Sequence, residues 1–304
     1  MPSRIRYARL ATERANPRSR ALDLLRPRQI AALMNREDRR AVVAVARARS
    51  DIATAVRMIV AALQRGGRLI FVGAGTSGRL GVIEAAECPP TFGTPPRLVQ
   101  AIMAGGRGAV FRSREGAEDD EIAARRAVRA RVRKGDVVVG ISASGVTPFV
   151  RAALAAARQR GARTVLITCN ATGLGATFAN VRIVPATGPE VLAGSTRLKA
   201  GTATKLVLNT LTTAAMTGLG RVYGNRMVDL QPRSDKLRER ALRLIAEVAE
   251  VSRARSRRAF EASGGRVKVA IVIARNGWDA AEASRALRTA SGSLRVVLQK
   301  FRRK

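Results

Sequence analysis

One unit of secondary structure occurs twice in this chain: a short apolar strand, a turn of small hydroxyl-bearing residues, and a helix. The first copy is segment 68–93, RLIFVGAGTSGRLGVIEAAECPPTFG, and the second is segment 136–150, DVVVGISASGVTPFV. A strand that leads directly into a helix is half of a βαβ unit, in which the helix carries the chain to a parallel neighbour. The repeat therefore predicts parallel strands, with both turns at the carboxyl edge of one sheet.

The same alternation continues through the middle of the chain. Strand-like runs are predicted at Arg68–Val72, Leu98–Met103, Asp136–Ile141, Thr164–Thr168 and Val181–Val184. Helical patterns are predicted at Gly78–Ala86, Asp119–Arg133, Thr147–Gln159 and Lys199–Leu219, with a rigid Pro-Pro loop closing segment 68–93. Short β-branched runs separated by helices predict an α/β fold, a doubly wound parallel sheet with helices on both faces.

The two ends of the chain differ from this middle part. Residues 1–35 are polar and irregular, a helix is predicted to start at Asn35, and an amphipathic pattern spans 41–63 with a break near Ser50. Helical patterns at 236–250, 254–262, 267–274 and 280–289 predict a small all-α C-terminal domain. The predicted domains are an N-terminal helical and irregular segment that packs on the core (1–52), the sheet domain (53–235) and the helical domain (236–304).

The absence of histidine restricts the possible chemistry. With no His and only two Cys, in separate motifs, the chain cannot form a Ser-His-Asp or Cys-His catalytic group, and we expect no metal site. Proton transfer must then fall to Asp, Glu, Lys or Tyr. Two pairs of glutamates stand out, Glu84 with Glu87 and Glu115 with Glu118, and spacing alone does not choose within either pair.

The net charge of +34 raises the question of nucleic acid. Nearly all the basic residues are arginines scattered along the helices, and aromatic residues make up only 3% of the chain. This distribution favours solvated arginine-rich faces over a dedicated nucleic-acid site, although we expect non-specific polyanion binding at low salt.

Cellular location is predicted from what the sequence lacks. No apolar run approaches the length of a membrane span, the N-terminus lacks the apolar core of a signal peptide, and two cysteines give no disulfide framework. We therefore expect a cytoplasmic protein with no membrane partner.

The second turn has the composition of a phosphate site. Ser142, Ser144 and Thr147 offer hydroxyls before a predicted helix N-terminus, and Gly145 permits close approach of the backbone. The first turn, with Thr76, Ser77 and Gly78, lacks the acidic residue about 20 positions later that a dinucleotide site needs. One glycine-rich turn can be a simple β–α connection, whereas two hydroxyl-rich turns favour a phosphorylated ligand that is not a nucleotide.

Several segments together resemble a known family. They are TERANPRS (12–19), NRED (35–38), GAGTSGRLG…EAAECPPTFG (73–93), EGAEDD (115–120), GISASGVTPFV (140–150) and GPEVLAGSTRLKAGTATKLVLN (188–209). The strand–turn–helix units are similar to a sugar isomerase (SIS) domain, which binds phosphosugars. The longer strings resemble the bacterial N-acetylmuramic acid 6-phosphate etherases over almost the whole chain.

The resemblance implies a reaction and a set of residues. It implies a cofactor-independent lyase that releases D-lactate and N-acetylglucosamine 6-phosphate by elimination followed by hydration, and a homodimer. Glu87 in ECPPT would be the proton donor, and Glu118 in EGAEDD the second catalytic carboxylate. The remaining positions would bind substrate, the first turn on the sugar side and the second on the phosphate: Thr76, Ser77, Gly78, Ser142, Ser144, Gly145, Thr147, Ser195 and Lys199. For Lys199, a role in the core or in a dimer remains open.

The chain also departs from the family pattern. Val146 stands where the family commonly has Arg, and Glu84 where it often has Asp. Three other functions remain open: a non-catalytic phosphosugar sensor, a nucleic-acid-binding regulator with a sugar-sensing domain, and a phosphosugar isomerase. The sensor is the strongest of these, because the sequence contains no convincing helix-turn-helix and an isomerase has no obvious use for ECPPT or EGAEDD.

Overall fold

The computed structural model describes residues 10–171, 178–232 and 234–300 of the chain. Its first half contains the helices α1 (Pro27–Arg47), α2 (Arg49–Gln64), α3 (Gly75–Phe92), α4 (Gly108–Phe111), α5 (Glu121–Arg131) and α6 (Pro148–Gln159). Its second half contains α7 (Lys199–Gly218), α8 (Asp235–Ala249), α9 (Arg253–Ala262), α10 (Val267–Asn276), α11 (Ala280–Thr289) and α12 (Leu294–Lys300).

Five strands form one parallel sheet, as the sequence predicts. They are β1 (Leu69–Gly73), β2 (Val99–Met103), β3 (Val137–Ile141), β4 (Arg163–Ile167) and β5 (Val181–Ile183), in the spatial order β2-β1-β3-β4-β5. The register aligns the last residues of neighbouring strands, so that Gly73 lies beside both Met103 and Ile141. All five carboxyl ends therefore meet at one edge of the sheet.

Helices cover the sheet on two faces. Alternate residues of β1, Ile70 and Val72, pack with the apolar sides of α5 and α6 in one buried cluster. On the opposite face of β1, helix α3 approaches so closely that a methyl group at Gly81 would lie 2.9 Å from Phe71 Cβ. This arrangement confirms the predicted doubly wound sheet, and it explains why β1 and β3 are buried at every position.

The connection from β1 to α3 is tighter than the sequence predicts. Helix α3 begins at Gly75, and a methyl group at Gly73 would lie 2.6 Å from the amide nitrogen of Gly78. Only glycine fits such an approach. The expectation of a Pro-Pro loop is wrong, since Pro89 and Pro90 lie inside the last turns of α3.

The N-terminal prediction also needs correction. Helix α1 begins at Pro27 rather than at Asn35, because Pro27 suits the first helical position and Gln29 accepts a hydrogen bond from the Arg26 amide. Asn35 then lies in mid-helix. The predicted break near Ser50 is confirmed, with α1 ending at Arg47 and α2 starting at Arg49.

By compactness the chain divides into two units. The first comprises residues 1–86 and 97–212, and the second comprises 87–96 and 213–304. The second unit has its own apolar core, built mainly on helices α8 to α11, and it also contains a two-stranded hairpin, β6 (Val222–Tyr223) with β7 (Arg226–Met227). The hairpin and α12 were not predicted, because both are too short to give a periodic pattern. The domain boundaries predicted at 52/53 and 235/236 stay a prediction.

Within the described part of the chain, no helix combines the length and the apolar character that crossing a membrane requires.

Candidate active site

The strand order brings the two hydroxyl-rich turns together. β1 and β3 are neighbours, yet the chain leaves β1 toward β2 on one side and leaves β3 toward β4 on the other. Ligands of open α/β sheets bind at such a switch point, just beyond the carboxyl ends of the strands. Since Gly73 and Ile141 are register partners, the turns that follow them start side by side.

The second turn is organised by its own hydroxyl groups. Ser142 Oγ lies 2.8 Å from Thr147 Oγ1 and 3.4 Å from Ser144 Oγ, and it accepts a 3.0 Å hydrogen bond from the amide of Gly145. Gly145 has a φ of 75°, a conformation that glycine adopts without strain. Ser142 is buried, whereas Ser144 and Thr147 are half-buried. The hydroxyls of Ser144 and Thr147 are therefore partly accessible at the N-terminus of α6. The hydroxyl of Ser142 is buried and lies within hydrogen-bond distance of both.

A buried amide that the sequence analysis missed fastens this turn. Asn170 Nδ2 donates to the carbonyl oxygens of Ala143 and Ser144, each at 3.2 Å, and to Thr12 Oγ1 at 3.1 Å. Thr168 Oγ1 also donates to the Ala143 carbonyl. Thr168 directly follows β4 and Asn170 lies two residues later, at the carboxyl edge of the sheet, and that position was the available signal. Through Thr12, the TERANPRS segment therefore helps to hold Asn170, and with it the second turn, in place.

Glu118 is held next to the same turn by its main chain. The amide of Phe149, at the start of α6, donates a 2.9 Å hydrogen bond to the Glu118 carbonyl oxygen. The Glu118 side chain is exposed. The main chain of Glu118 is thus held at the start of α6, directly after the second turn, on a segment that the sequence places between β2 and α5.

The structure separates Glu84 from Glu87. Glu84 is buried and accepts hydrogen bonds from Lys205 Nζ at 2.6 Å and Thr212 Oγ1 at 2.5 Å, joining α3 to α7. Glu87, one turn later, is exposed and belongs to the second compact unit. Glu84 is therefore occupied in holding two helices together, and Glu87 is the carboxylate of the pair that solvent and ligands can reach.

Lys199 lies in a buried polar cluster and not on the surface. Its Nζ is 2.5 Å from Glu37 Oε2, which also accepts a 2.9 Å hydrogen bond from Asn16 Nδ2. Glu190 caps α7 by accepting from the amides of Lys199 and Ala200, at 3.0 and 2.9 Å. The cluster therefore joins one residue from each of four segments that the sequence analysis singled out: TERANPRS, NRED, GPEV and STRLKAG. Of the roles considered for Lys199, this contact favours the one in the core.

The pKa values of the two carboxylates in this cluster, Glu37 and Glu190, are shifted in opposite directions. Burial opposes the charge of Glu37, but the hydrogen bonds from Lys199 and Asn16 and the charges of Lys199 and Arg40 outweigh it, so the pKa of Glu37 is lowered. Burial raises the pKa of Glu190, and the two amides that it caps only partly offset this effect. Burial also raises the pKa of the Cys169 thiol to about 12, as is usual for a buried structural cysteine.

The start of α7 lies against the first turn. A methyl group at Gly201 would be 3.8 Å from Thr76 Cγ2. Thr76 and Ser77 are half-buried, and Gly78 is buried against Met103. Ser195, also half-buried, precedes α7 on a loop whose Gly194 amide donates to the Thr12 carbonyl. Thr76 and the start of α7 therefore meet, and one buried framework supports both α7 and the second turn.

A cleft of about 780 Å³ lies beside the Glu118 segment in the first unit. Its lining includes Met103, Arg107, Phe111, Arg114 and Phe149, and the hydroxyls of the two turns do not line it. Although charged side chains such as Arg107 and Arg114 line this cleft, the hydroxyl-rich turns at the switch point of the sheet lie outside it, and we place the candidate site at those turns. Among the described residues, no three His, Cys, Asp or Glu side chains are grouped so as to hold a metal ion.

Comparison with known proteins identifies the family. The SIS domain model matches residues 116–214, and the model of the glucokinase regulatory protein N-terminal SIS domain matches residues 51–158. The chain is 51% identical over 291 residues to the N-acetylmuramic acid 6-phosphate etherase of Geobacillus thermodenitrificans, covering 95% of this chain and 99% of that one. It is 49% identical over 291 residues to the protein of the same name from Picosynechococcus, covering 95% and 97%. The chain belongs to the N-acetylmuramic acid 6-phosphate etherase family.

Among solved structures, the fold is similar to that of a phosphoheptose isomerase from Francisella tularensis. The TM-score is 0.50 at 17% sequence identity, and the match covers 65% of this chain and 98% of that one. At this identity the likeness concerns the fold alone, and it agrees with the parallel sheet described above.

Proposed function

We propose that the protein is a lyase that cleaves the D-lactyl ether of N-acetylmuramic acid 6-phosphate, giving N-acetylglucosamine 6-phosphate and D-lactate. The observation that carries this proposal is the likeness, over nearly the full length of both chains, to relatives named for that etherase activity. The neighbouring turns at the sheet edge and the main-chain contact of Glu118 with the start of α6 support the proposal.

In the proposed elimination, the open-chain aldehyde form of the substrate reacts. Glu118 accepts the proton on C2, which is acidic because it is next to the aldehyde. Glu87 donates a proton to the lactyl oxygen on C3 as the C3–O bond breaks. The electron pair of the C2–H bond is first held in an enolate with the neighbouring aldehyde. It then becomes the C2=C3 double bond as D-lactate leaves. General acid–base groups of this kind typically contribute about 10²–10⁴-fold to the rate.

Hydration then completes the proposed reaction. The Glu87 carboxylate accepts a proton from water as the water oxygen adds to C3, and Glu118 returns its proton to C2. Both glutamates regain their starting protonation, and the net change is one water consumed and one lactate released. No electron acceptor or cofactor enters this scheme. In a chain without histidine, carboxylates are the side chains best suited to both proton transfers.

We assign the substrate phosphate to the second turn. Ser144, Thr147 and the start of α6 provide hydroxyls and the positive end of a helix dipole, with Ser142 and Gly145 shaping the turn. Thr76, Ser77 and Gly78 would form the sugar side. Ser195 would contact the ligand from the loop before α7, whereas Lys199, paired with Glu37, would act only by holding the start of that helix.

Two partner proposals accompany this function. We propose that the protein forms a homodimer in the cytoplasm, and light scattering at several protein concentrations would measure its mass. We also propose weak, non-specific polyanion binding because the net charge is +34. Binding of a random DNA duplex that falls steeply as salt rises would support this electrostatic origin.

The decisive experiment is incubation with N-acetylmuramic acid 6-phosphate, with D-lactate measured by an enzyme-coupled assay and the sugar product by mass spectrometry. Formation of lactate and sugar in equal amounts supports the lyase. Tight substrate binding measured by calorimetry, with no lactate formed, would favour the non-catalytic sensor. N-acetylglucosamine 6-phosphate is the control ligand, since it has the phosphate and the sugar but no ether to cleave.

A further inference from the structure

The end of α3 that carries Glu87 belongs to the helical unit and not to the sheet unit. Residues 87–96 group with residues 213–304. This end of the helix needs support from outside, because Pro89 and Pro90 have no amide hydrogen to donate to the carbonyls of the preceding turn. We propose that Arg221 is a positioning residue for Glu87, the proposed proton donor, through its contact with the end of the same helix. This inference rests on the proposed function.

Arg221 holds the end of the Glu87 segment directly. Its Nη1 donates a 2.8 Å hydrogen bond to the carbonyl oxygen of Phe92, the last residue of α3, and lies 3.5 Å from Asp229 Oδ2. The side chain is only 25% exposed. The same guanidinium nitrogen thus makes a hydrogen bond with a main-chain carbonyl and an ion pair with a carboxylate of this unit, and these contacts restrict the position of the Phe92 carbonyl.

Asp229 meets the next residue of the same segment. Gly93 has a φ of 61°, and a methyl group there would lie 2.2 Å from the Asp229 carbonyl oxygen. The Asp229 carboxylate is held by Lys268, whose Nζ lies 2.6 Å from Oδ2 and also donates to the carbonyls of Gly220 and Gly292, each at 3.0 Å. Lys268 is buried, so this contact anchors Arg221 and Asp229 in the interior of the helical unit.

The consequence is specific to catalysis. The groups proposed to bind phosphate and sugar lie in the first unit, whereas Arg221 acts on the segment that carries the proposed proton donor. Loss of Arg221 should therefore misplace the acid while leaving the binding groups intact. A misplacement of about 1 Å can cost about 10²-fold in rate, with little change in ground-state affinity.

Arg275 provides a matched control within the same unit. Like Arg221 it binds one main-chain carbonyl, that of Ala249 at 3.2 Å, and one carboxylate, that of Glu250 at 2.6 Å, and its side chain is 30% exposed. Neither acceptor belongs to residues 87–96. Substitutions R221Q and R275Q therefore remove similar contacts and differ in which segment they release.

The first test is steady-state kinetics with N-acetylmuramic acid 6-phosphate, with the thermal midpoint of each variant recorded. We expect R221Q to lower kcat by about tenfold or more while KM changes by less than about threefold. R275Q should leave both within about twofold at a similar loss of stability. R221K keeps the charge without the planar guanidinium, so its kcat should lie between those of R221Q and the unmodified chain. If R221Q does not fold, R221K replaces it in the test.

The second readout is proton exchange at C2 in deuterium oxide. A misplaced Glu87 slows cleavage of the C3–O bond but not removal of the C2 proton by Glu118, so R221Q should incorporate more deuterium into recovered substrate per lactate released. An unchanged exchange ratio, or a kcat equal to that of R275Q, overturns the role of Arg221 and leaves the lyase assignment intact. Absence of lactate from the unmodified protein overturns the proposed function and this inference with it.

Discussion

The amide of Phe149 donates a 2.9 Å hydrogen bond to the carbonyl of Glu118. This single contact joins the EGAEDD segment to the N-terminus of α6, where the second hydroxyl-rich turn ends. It places a carboxylate-bearing residue beside the turn without using the carboxylate itself, which stays exposed. The position of Glu118 is therefore set by main chain, and its side chain can be changed without breaking the contact.

Glu118→Gln should consequently separate catalysis from folding. We expect kcat for lactate release to fall by about 10²-fold or more, because the amide cannot accept the C2 proton. The free energy of unfolding should change by less than about 0.5 kcal/mol, as is usual for an exposed side chain. Kinetics and urea denaturation measure the two effects.

Glu121→Gln is the matched control for Glu118. Glu121 is close by in the sequence, at the start of α5, and its carboxylate forms a surface ion pair with Arg125. Its loss should cost about 0.5 kcal/mol or less and leave kcat unaffected. Equal activity in the two variants would remove Glu118 from the mechanism.

Glu87 and Glu84 should respond in opposite ways to the same substitution. Glu87→Gln should abolish lactate release and leave stability nearly unchanged, because the side chain is exposed. Glu84→Gln should lower the free energy of unfolding by about 1–2 kcal/mol, because it disturbs the buried bonds to Lys205 and Thr212. Full activity in Glu87→Gln contradicts its assignment as proton donor.

Ser144→Ala should weaken substrate binding more than it slows turnover. A hydrogen bond to a charged group contributes about 1.5–3 kcal/mol, so the dissociation constant should rise by about 10- to 150-fold. Thr54→Ala on α2, where the hydroxyl bonds only to its own helix, is the control and should leave binding unchanged. Calorimetry with N-acetylglucosamine 6-phosphate measures both, and equal affinities would place the phosphate elsewhere.

The buried cluster around Lys199 should give two opposite pH effects on stability. Glu37 has a lowered pKa, so its stabilising contribution is present above the ordinary value of 4.5 and is lost as the pH falls through the lowered pKa. Glu190 has a raised pKa, so its contribution is full below 4.5 and declines as the pH rises through the raised pKa.

Glu37→Gln and Glu190→Gln separate these two contributions. Thermal midpoints measured across pH should show that the difference between the unmodified chain and Glu37→Gln shrinks in acid below pH 4.5. The thermal midpoint of the unmodified chain should instead fall relative to that of Glu190→Gln as the pH rises above 4.5. Parallel pH curves for the unmodified chain and either variant would show that the carboxylate in question does not titrate differently in the folded state.

The sequence alone determined the sheet and its turns. All five strands lie within about two residues of their predicted bounds, since each is a short apolar run between helical patterns. Ser142, Ser144 and Thr147 could be predicted as neighbours because a β–α turn is a local structure. Helix ends were less predictable, as the true start of α1 at Pro27 illustrates.

Only the tertiary structure decided how the chain uses its charged side chains. Glu84 and Glu87 look alike in sequence, and contacts from Lys205 and Thr212, more than a hundred residues away, are what separate them. In the sequence Lys199 was a candidate ligand for an anion, but in the fold it is paired with Glu37. The role proposed for Arg221 rests on its hydrogen bond to Phe92, which the sequence does not predict. Backbone pattern follows from local sterics and periodicity, whereas the partner of a charge depends on which distant segments the packing brings together.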